Sequence, residues 1–214
     1  MKKVIKAGNS EIIEKKSRFI GNVYNVETEE QAVQIIAAIK KKYWDARHSC
    51  YAYIIGNDKD SQIQKFSDDG EPSGTAGKPI LEVLSGNGMG NCLCIVTRYF
   101  GGVLLGTGGL VRAYSMAAKE ALNDSETGEL IDGAKAYIDV DYTYVGKIQY
   151  LCSQYSITII STDYSQNVTF ELMMDIGAEN TFQNKLTELS AGKLKLRDIL
   201  HIKMYRREDG TLSI

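Results

Sequence analysis

The chain has 214 residues, enough for one large or two small domains that each bury a core. Hydrophobic residues make up 43% of it and charged residues 24%, as in an ordinary globular protein, and the net charge of −2 argues against a protein that coats nucleic acid nonspecifically. The start of the chain lacks the apolar core of a signal peptide, and no later run is long enough to span a bilayer. We therefore expect a cytoplasmic protein without membrane contacts.

The first third of the chain predicts strands and one helix. Five segments are predicted as strands because they alternate or are rich in β-branched and aromatic residues: 4–7, 11–15, 18–24, 48–55 and 62–66. A turn at Gly8-Asn9 separates the first two. Thr28-Glu29-Glu30-Gln31 is a capping box followed by apolar residues at helical spacing, so a helix is predicted from there to about Tyr43.

A polar loop at 67–77 holds three carboxylates, those of Asp68, Asp69 and Glu71. Carboxylate oxygens are ligands that magnesium prefers, so this acidic cluster has one functional interpretation. The other is structural, because Asp-Gly and Pro favour turns and acids cap helices. The second interpretation is favoured, since no other acidic cluster completes a cation site. A short apolar helix is predicted next, at 79–85.

A glycine-rich loop follows the apolar strand predicted at 92–97 and precedes a helix that begins near Thr107. Five of the nine residues from 101 to 109 are glycine, which allows positive φ angles or close backbone approach. The loop is either a tight packing corner or a cradle for an anion at the helix N-terminus. The candidate anion-binding or nucleic-acid-binding residues are Arg98, Gly101, Gly102, Gly106, Thr107, Gly108, Gly109 and Arg112.

Two common phosphate-binding motifs do not fit this loop. A phosphate loop of the Walker type needs Gly-Lys-Ser/Thr, but Gly106 is followed by Thr107. The dinucleotide fingerprint begins at Gly106-Thr107-Gly108, but its third glycine position is Val111. Neither nucleotide-binding fold is therefore predicted.

The four cysteines lie in apolar runs and are predicted to be reduced core residues. An alternative is a zinc site formed by His48, Cys50, Cys92 and Cys94 if their two strands were neighbours. The favoured interpretation has no metal, no cofactor and no catalytic residue, since nothing near either histidine orients its ring.

The C-terminal part follows a polar segment, 123–133, that is predicted to be a linker. After it come segments predicted in the order strand, helix, strand, strand, helix and strand: 136–141, 144–155, 157–161, 168–175, 178–189 and 195–205. This order is that of the ferredoxin-like arrangement. An RNA-recognition module would need a particular aromatic motif on the central strands, which the sequence around Phe170 does not match.

Three blocks in order resemble the IMPACT/YigZ family: Arg47 to Ala52, Phe66 to Ile80, and Arg98 to Tyr114. The resemblance is to the bacterial two-domain members and implies an α+β protein with domains at 1–130 and 134–214. In this family the first domain is similar to domain four of elongation factor G, a ribosomal-protein-like βαβ fold, and to small kinases of the galactokinase class. The second is similar to domain five of the same factor.

Two hypotheses about function follow. The resemblance implies a non-enzymatic cytoplasmic protein that contacts the ribosome, RNA or a translation factor, because eukaryotic relatives regulate translation under stress. The alternative is an enzyme or nucleotide-binding protein that acts on a phosphorylated small molecule at the glycine-rich loop, with Asp68, Asp69 or Glu71 as acid, base or metal ligand. The sequence also has three short basic clusters, which are either further nucleic-acid contacts or solvated surface: Lys15-Lys16 with Arg18, Lys40 to Lys42, and Arg206-Arg207.

Overall fold

The computed structural model describes residues 1–56 and 61–214. The chain divides into two units, Met1–Gly128 and Glu129–Ile214, and both mix helices with strands, as the predicted α+β class requires. Within the described ranges, no helix is both long enough and apolar enough to cross a membrane.

The first unit is built on a five-stranded antiparallel sheet in the order β2-β3-β6-β4-β5. The strands of this unit are β1 (Lys2–Lys6), which lies outside that sheet, and the five sheet strands β2 (Gly8–Glu14), β3 (Ser17–Asn25), β4 (His48–Ile55), β5 (Ile63–Ser67) and β6 (Cys92–Tyr99). Its helices are α1 (Glu29–Lys42), α2 (Gly77–Gly86) and α3 (Thr107–Asp124).

Helices cover both faces of this sheet. On one face α2 and α3 bury a core that includes Phe19, Val96 and Tyr114. On the other face α1 buries a smaller core around Ile36 and Leu93. Because β6 is covered on both sides, its residues form a nearly continuous buried run, which explains the apolar sequence from Cys92.

Two predictions about local structure have different outcomes. The capping box is confirmed, since the Thr28 hydroxyl accepts a hydrogen bond from the Gln31 amide at 3.2 Å and α1 begins at the next residue. The turn predicted at Gly8-Asn9 is wrong, because Gly8 is already the first residue of β2. A Cβ at Gly8 would lie 2.3 Å from the Ala121 carbonyl oxygen, so this glycine serves close packing against α3.

The second unit contains a sheet in the order β11-β10-β7-β9-β8. Its elements are β7 (Glu126–Val140), α4 (Val145–Gln154), β8 (Thr158–Tyr164), β9 (Val168–Asp175), α5 (Glu179–Ser190), β10 (Arg197–Arg207) and β11 (Leu212–Ser213), with β7 beginning just before the boundary. Residues of both helices, such as Ile148 and Phe182, pack with Phe170 of β9 into one core.

The segment predicted as a linker, 123–133, contains the boundary between the two units, but it is not irregular. Helix α3 continues to Asp124, and β7 starts at Glu126. Two of the four acids that suggested a linker form ion pairs with β10: Asp132 lies 2.7 Å from Lys203, and Glu129 lies 3.3 Å from Arg206. Strand pairing and these cross-strand charges, which are distant in sequence, override the local composition.

Candidate anion-binding cleft

A cleft of about 430 Å³ opens in the first unit beside the N-terminus of α3. Its lining comes from the start of β4, the acidic loop before α2, the end of β6 and the glycine-rich loop: Arg47, His48, Glu71, Pro72, Arg98, Phe100, Leu104, Leu105, Gly106, Thr107 and Leu110. The walls are mainly apolar, and Leu104 is 83% exposed, so an apolar surface faces any molecule that enters.

A buried ion pair forms one part of the lining. The Arg98 guanidinium lies 2.6 Å from a Glu71 carboxylate oxygen, and both side chains are more than nine-tenths buried. The same oxygen accepts a hydrogen bond from the Tyr114 hydroxyl at 2.9 Å, and burial raises the pKa of Tyr114, which keeps that donor protonated. The prediction that Arg98 offers a free cationic fork is thus modified, because Glu71 occupies one end of it.

The Arg98 guanidinium also donates a hydrogen bond to the Ser17 hydroxyl at 3.4 Å and lies over aromatic rings. Its central carbon lies 5.4 Å from the ring centres of both Phe19 and Phe100. Cations over ring faces are stabilised by the ring quadrupole. The buried Nε atom of Arg98 has no hydrogen-bond partner within the described residues. An orphaned donor of a buried cation, in a side chain that lines the cleft, favours an anionic or hydrogen-bond-accepting guest.

The backbone amides at the start of α3 also favour an anionic guest. Helix α3 is capped by Gly106, whose side chain cannot accept a hydrogen bond, and its first turn holds no acid. No acceptor in the described part of the chain takes a hydrogen bond from the amides of Thr107, Gly108 or Gly109. Gly106 and Thr107 line the cleft, so the positive end of the helix dipole and the first of these free N–H groups lie at its edge, where they suit an anion.

The five glycines of the loop differ in backbone φ angle and in the space available for a Cβ atom. Gly102 and Gly106 have φ angles of 81° and 74°, which glycine adopts without strain. A Cβ at Gly101 would lie 2.0 Å from the Lys16 carbonyl carbon, and one at Gly109 would lie 3.0 Å from the Leu105 side chain. At Gly108 neither reason applies, since φ is not positive and nothing lies within 4 Å. Packing alone therefore does not account for Gly108.

The three carboxylates of the acidic loop have separate partners. Asp68 accepts hydrogen bonds from the amides of Gly74, Ala76 and Gly77, and so caps α2. Asp69 is hydrogen-bonded to the Ser49 amide at 2.7 Å and to Lys40 at 2.6 Å, while Glu71 holds Arg98. Because these contacts occupy all three carboxylates, they support the turn-and-cap interpretation. Within the described ranges, no three His, Cys, Asp or Glu side chains are arranged to hold a metal.

Arg112 is not in the cleft. It is exposed and lines a separate depression with Glu14, Lys15 and Met116. The cleft therefore brings together Gly106, Thr107, Arg98 and Glu71. Gly109 lines the other depression with Arg112, and the remaining predicted glycines, Gly101, Gly102 and Gly108, line neither.

Two polar residues of the cleft, Arg47 and His48, were not among the predicted site residues. The His48 Nδ1 atom lies 2.8 Å from the Asp69 carbonyl oxygen, so this nitrogen is the donor, and Nε2 lies 4.0 Å from Glu71. Both residues belong to the first of the three motif blocks, which was the available signal.

The zinc alternative is not supported by the strand register. His48 pairs with Arg98 across β4 and β6, whereas Cys92 pairs with Ile54, so these two proposed ligands lie at opposite ends of the paired strands and the four side chains do not converge on one point. All four cysteines of the chain are free and buried. The Cys50 thiol donates to the Asp68 carbonyl oxygen at 2.9 Å, and burial raises its pKa to about 12. The prediction of reduced core cysteines is confirmed.

Comparison with known proteins places this chain in a family. A model of the Impact N-terminal domain matches residues 15–122, and one for a domain of unknown function, DUF1949, matches 138–193. YvyE of Bacillus subtilis, described as an IMPACT family member, is 42% identical over 195 residues, 91% of this chain and 89% of the relative. YigZ of Escherichia coli, described likewise, is 38% identical over 182 residues, 85% of this chain and 89% of the relative.

A solved structure agrees with the sequence comparisons. A crystal structure titled as that of a hypothetical protein aligns with a TM-score of 0.59 at 36% identity, covering 91% of this chain and 95% of that chain. The molecule is thus a two-domain α+β protein whose first domain carries the glycine-rich cleft. The chain belongs to the IMPACT family, which confirms the resemblance of its three motif blocks.

Proposed function

We propose that this chain is a cytoplasmic binding protein of the translation apparatus and that its cleft receives a phosphate group of ribosomal RNA. The observation that carries the proposal is the uncapped N-terminus of α3 at the edge of the cleft, with free amides at Thr107, Gly108 and Gly109. The exposed ring of Phe100 and the side chain of Leu104 supply an apolar surface on which an unpaired base stacks.

Membership of the IMPACT family supports the assignment to translation, since the family resemblance implies regulators of translation among the eukaryotic relatives. The proposal also includes the finer fold assignment. We take 1–130 as a domain similar to domain four of elongation factor G and 134–214 as a ferredoxin-like domain. The sheet order β10-β7-β9-β8, with the element order of the second unit, supports the ferredoxin-like part.

The carboxylates favour binding over catalysis. A general acid or base must reach the reacting atom, but Asp68 and Asp69 are held by backbone amides and Glu71 by Arg98. None of the three is left to accept a proton from a substrate without first breaking a structural contact.

The test is cosedimentation with ribosomes over a salt series. Gly108→Asp places an acid at the first turn of α3, where it occupies the anion site, and should weaken binding by about tenfold, or ~1.4 kcal/mol. Gly146→Asp is the matched control, because it puts the same charge at the first turn of α4, also in open space. Absence of the wild-type protein from the ribosomal fraction at low salt contradicts the proposal, as does equal loss in both variants.

A second candidate is favoured by the size and lining of the cleft. A volume of about 430 Å³ with mainly apolar walls suits a single phosphorylated small molecule. This function predicts a thermal shift with a nucleotide or sugar phosphate, since a ligand at a hundred times its dissociation constant stabilises by about 2.7 kcal/mol. A shift that Gly108→Asp abolishes, without ribosome binding by the wild type, would replace the first proposal by this one.

A further inference from the structure

A second pocket of the first unit lies on the opposite face of the sheet from α3, and the cleft does not account for it. It has a volume of about 450 Å³ and is bordered by β2, β3 and the end of α1. The side chains that matter are those of Asn9, Glu11, Arg18, Asn22, Lys42 and Tyr43. Arg18 and Lys42 come from two of the basic clusters in the sequence, which meet here although 24 positions separate them.

The pocket exists because α1 covers only part of this face. The core under α1 is formed with residues of β4 and β6, such as Tyr53 and Ile95. The helix ends at Lys42. Lys42 and Tyr43 therefore border the part of this face that β2 and β3 form.

Asn22 is the unusual residue of this pocket. Its side chain lines the pocket yet is only 6% exposed, and within the described residues its Nδ2 atom has no hydrogen-bond partner. A buried amide donor without an acceptor destabilises the folded state. A buried asparagine that opens onto a pocket without a protein partner is accounted for if an acceptor atom from a bound molecule completes it.

The charges around Asn22 indicate the kind of acceptor. The Arg18 guanidinium stacks 4.8 Å from the centre of the Tyr99 ring, and its Nε lies 4.0 Å from a Glu11 oxygen. The Lys42 ammonium lies 5.0 Å from the centre of the Tyr43 ring. Two cations and one acid leave a net positive pocket, and its lining is more polar than that of the cleft.

We propose that this pocket binds a small organic phosphate of the sugar phosphate class. Arg18 and Lys42 hold the phosphate, whose oxygens also accept a hydrogen bond from the Asn22 amide. The carboxylate of Glu11 and the amide of Asn9 bind hydroxyl groups of the carbon chain. The site lies on the face of the sheet away from α3, so it does not depend on ribosome or RNA binding at the cleft.

Titration of the full-length protein with ribose 5-phosphate, followed by amide chemical shifts and calorimetry, tests the ligand class. We expect chemical-shift changes confined to β2, β3 and the end of α1. Inorganic phosphate should bind at least about tenfold more weakly than ribose 5-phosphate, because it lacks the hydroxyl groups. Lys42→Ala should lower affinity for ribose 5-phosphate about tenfold, whereas Lys41→Ala, the neighbouring exposed lysine outside the pocket, should leave it within about twofold. No shift at millimolar ribose 5-phosphate, or equal loss in both variants, overturns the proposal.

Asn22→Leu separates a binding role from a structural one. Removing an unsatisfied buried donor should raise the melting temperature of the ligand-free protein and abolish the response to ribose 5-phosphate. If the variant melts at a lower temperature and still binds, Asn22 is a structural residue and the assignment fails. If the variant does not fold, the lysine pair of variants decides the question alone.

Discussion

Glu71 and Arg98 form an ion pair in which a carboxylate oxygen of Glu71 lies 2.6 Å from Nη1 of Arg98. The two residues are 27 positions apart in the sequence, and both side chains are buried. The pair joins the acidic loop to the end of β6, so it fixes two parts of the cleft relative to each other. Burying two charges has a large desolvation cost, which their attraction offsets only while both partners are present.

The first prediction concerns this pair. Glu71→Gln keeps the shape of the side chain but leaves the Arg98 cation buried without a counter-charge. We expect the free energy of unfolding of the first unit to fall by about 3–5 kcal/mol, measured by urea denaturation. Glu82→Gln, on the exposed face of α2, should change it by less than about 0.5 kcal/mol.

The double variant Glu71→Leu with Arg98→Met provides the converse measurement. An apolar pair of similar volume leaves no orphaned charge, so much of the stability lost in Glu71→Gln should return. If the double variant is less stable than the single one, Arg98 contributes mainly through its stacking on Phe19 and Phe100.

The second prediction separates the structural glycines of the loop from the free one. Gly101→Ala puts a Cβ within 2.0–2.4 Å of the backbone of Lys16 and Ser17, and relief requires a backbone shift. We expect a loss of about 1–3 kcal/mol or more, measured as a lower urea midpoint. Gly108→Ala meets nothing within 4 Å and gains helix propensity, so it should be neutral or stabilising by up to about 1 kcal/mol. Equal destabilisation in both variants would contradict this assignment of roles.

The third prediction concerns thiol reactivity. Burial raises the pKa of Cys50, Cys92 and Cys152 to about 12, and the pKa of Cys94 is also raised. Because the thiolate is the reactive species, the native protein should react with a thiol reagent such as Ellman's reagent at a small fraction of the rate of free cysteine at pH 8. In urea all four thiols should react at once. A thiol that reacts fast in the native protein would show that its side chain reaches solvent.

Local pattern was sufficient for much of the fold but not for the partners of the polar residues. The capping box at Thr28 and the apolar run from Cys92 predicted α1 and β6, since neighbours in sequence determine these elements. The segment 123–133 was wrongly predicted to be irregular, because Asp132 and Glu129 find their partners, Lys203 and Arg206, more than 70 positions away. The local sequence shows which residues are charged, but the tertiary fold determines which of them form ion pairs.

The same limit applies to the cleft. Arg98 and Glu71 were both predicted as site residues, yet the sequence could not show that they neutralise each other. Arg112 was included because it lies near the loop in sequence, although its position in α3 directs it to another depression. The prediction of an open first turn of α3 rested on local features, Gly106 as the cap and no acid in the first turn, and the structure has both.

The last prediction is a pH dependence in the second unit. Hydrogen bonds from Lys135 at 2.5 Å, then from Ser161 and Tyr137, lower the pKa of Glu171 from 4.5 to about 2. Because the folded-state pKa lies below the unfolded one, ionised Glu171 stabilises the unit fully above pH 4.5, and this stabilisation is lost as the pH falls through 2. The pair is partly solvated, so we expect about 1 kcal/mol at pH 7.

Amide hydrogen exchange of β9, corrected for the intrinsic pH dependence of exchange, measures this contribution in wild type and Glu171→Gln. The variant should exchange faster at pH 7, and the difference in free energy should shrink between pH 4.5 and pH 2 as the wild-type carboxylate becomes protonated. Glu188→Gln is the control, because its partner Lys185 lies on the exposed face of α5 and the pair contributes little. A difference between wild type and Glu171→Gln that stays constant from pH 7 to pH 2 would assign the stabilisation to packing rather than to the charge of Glu171.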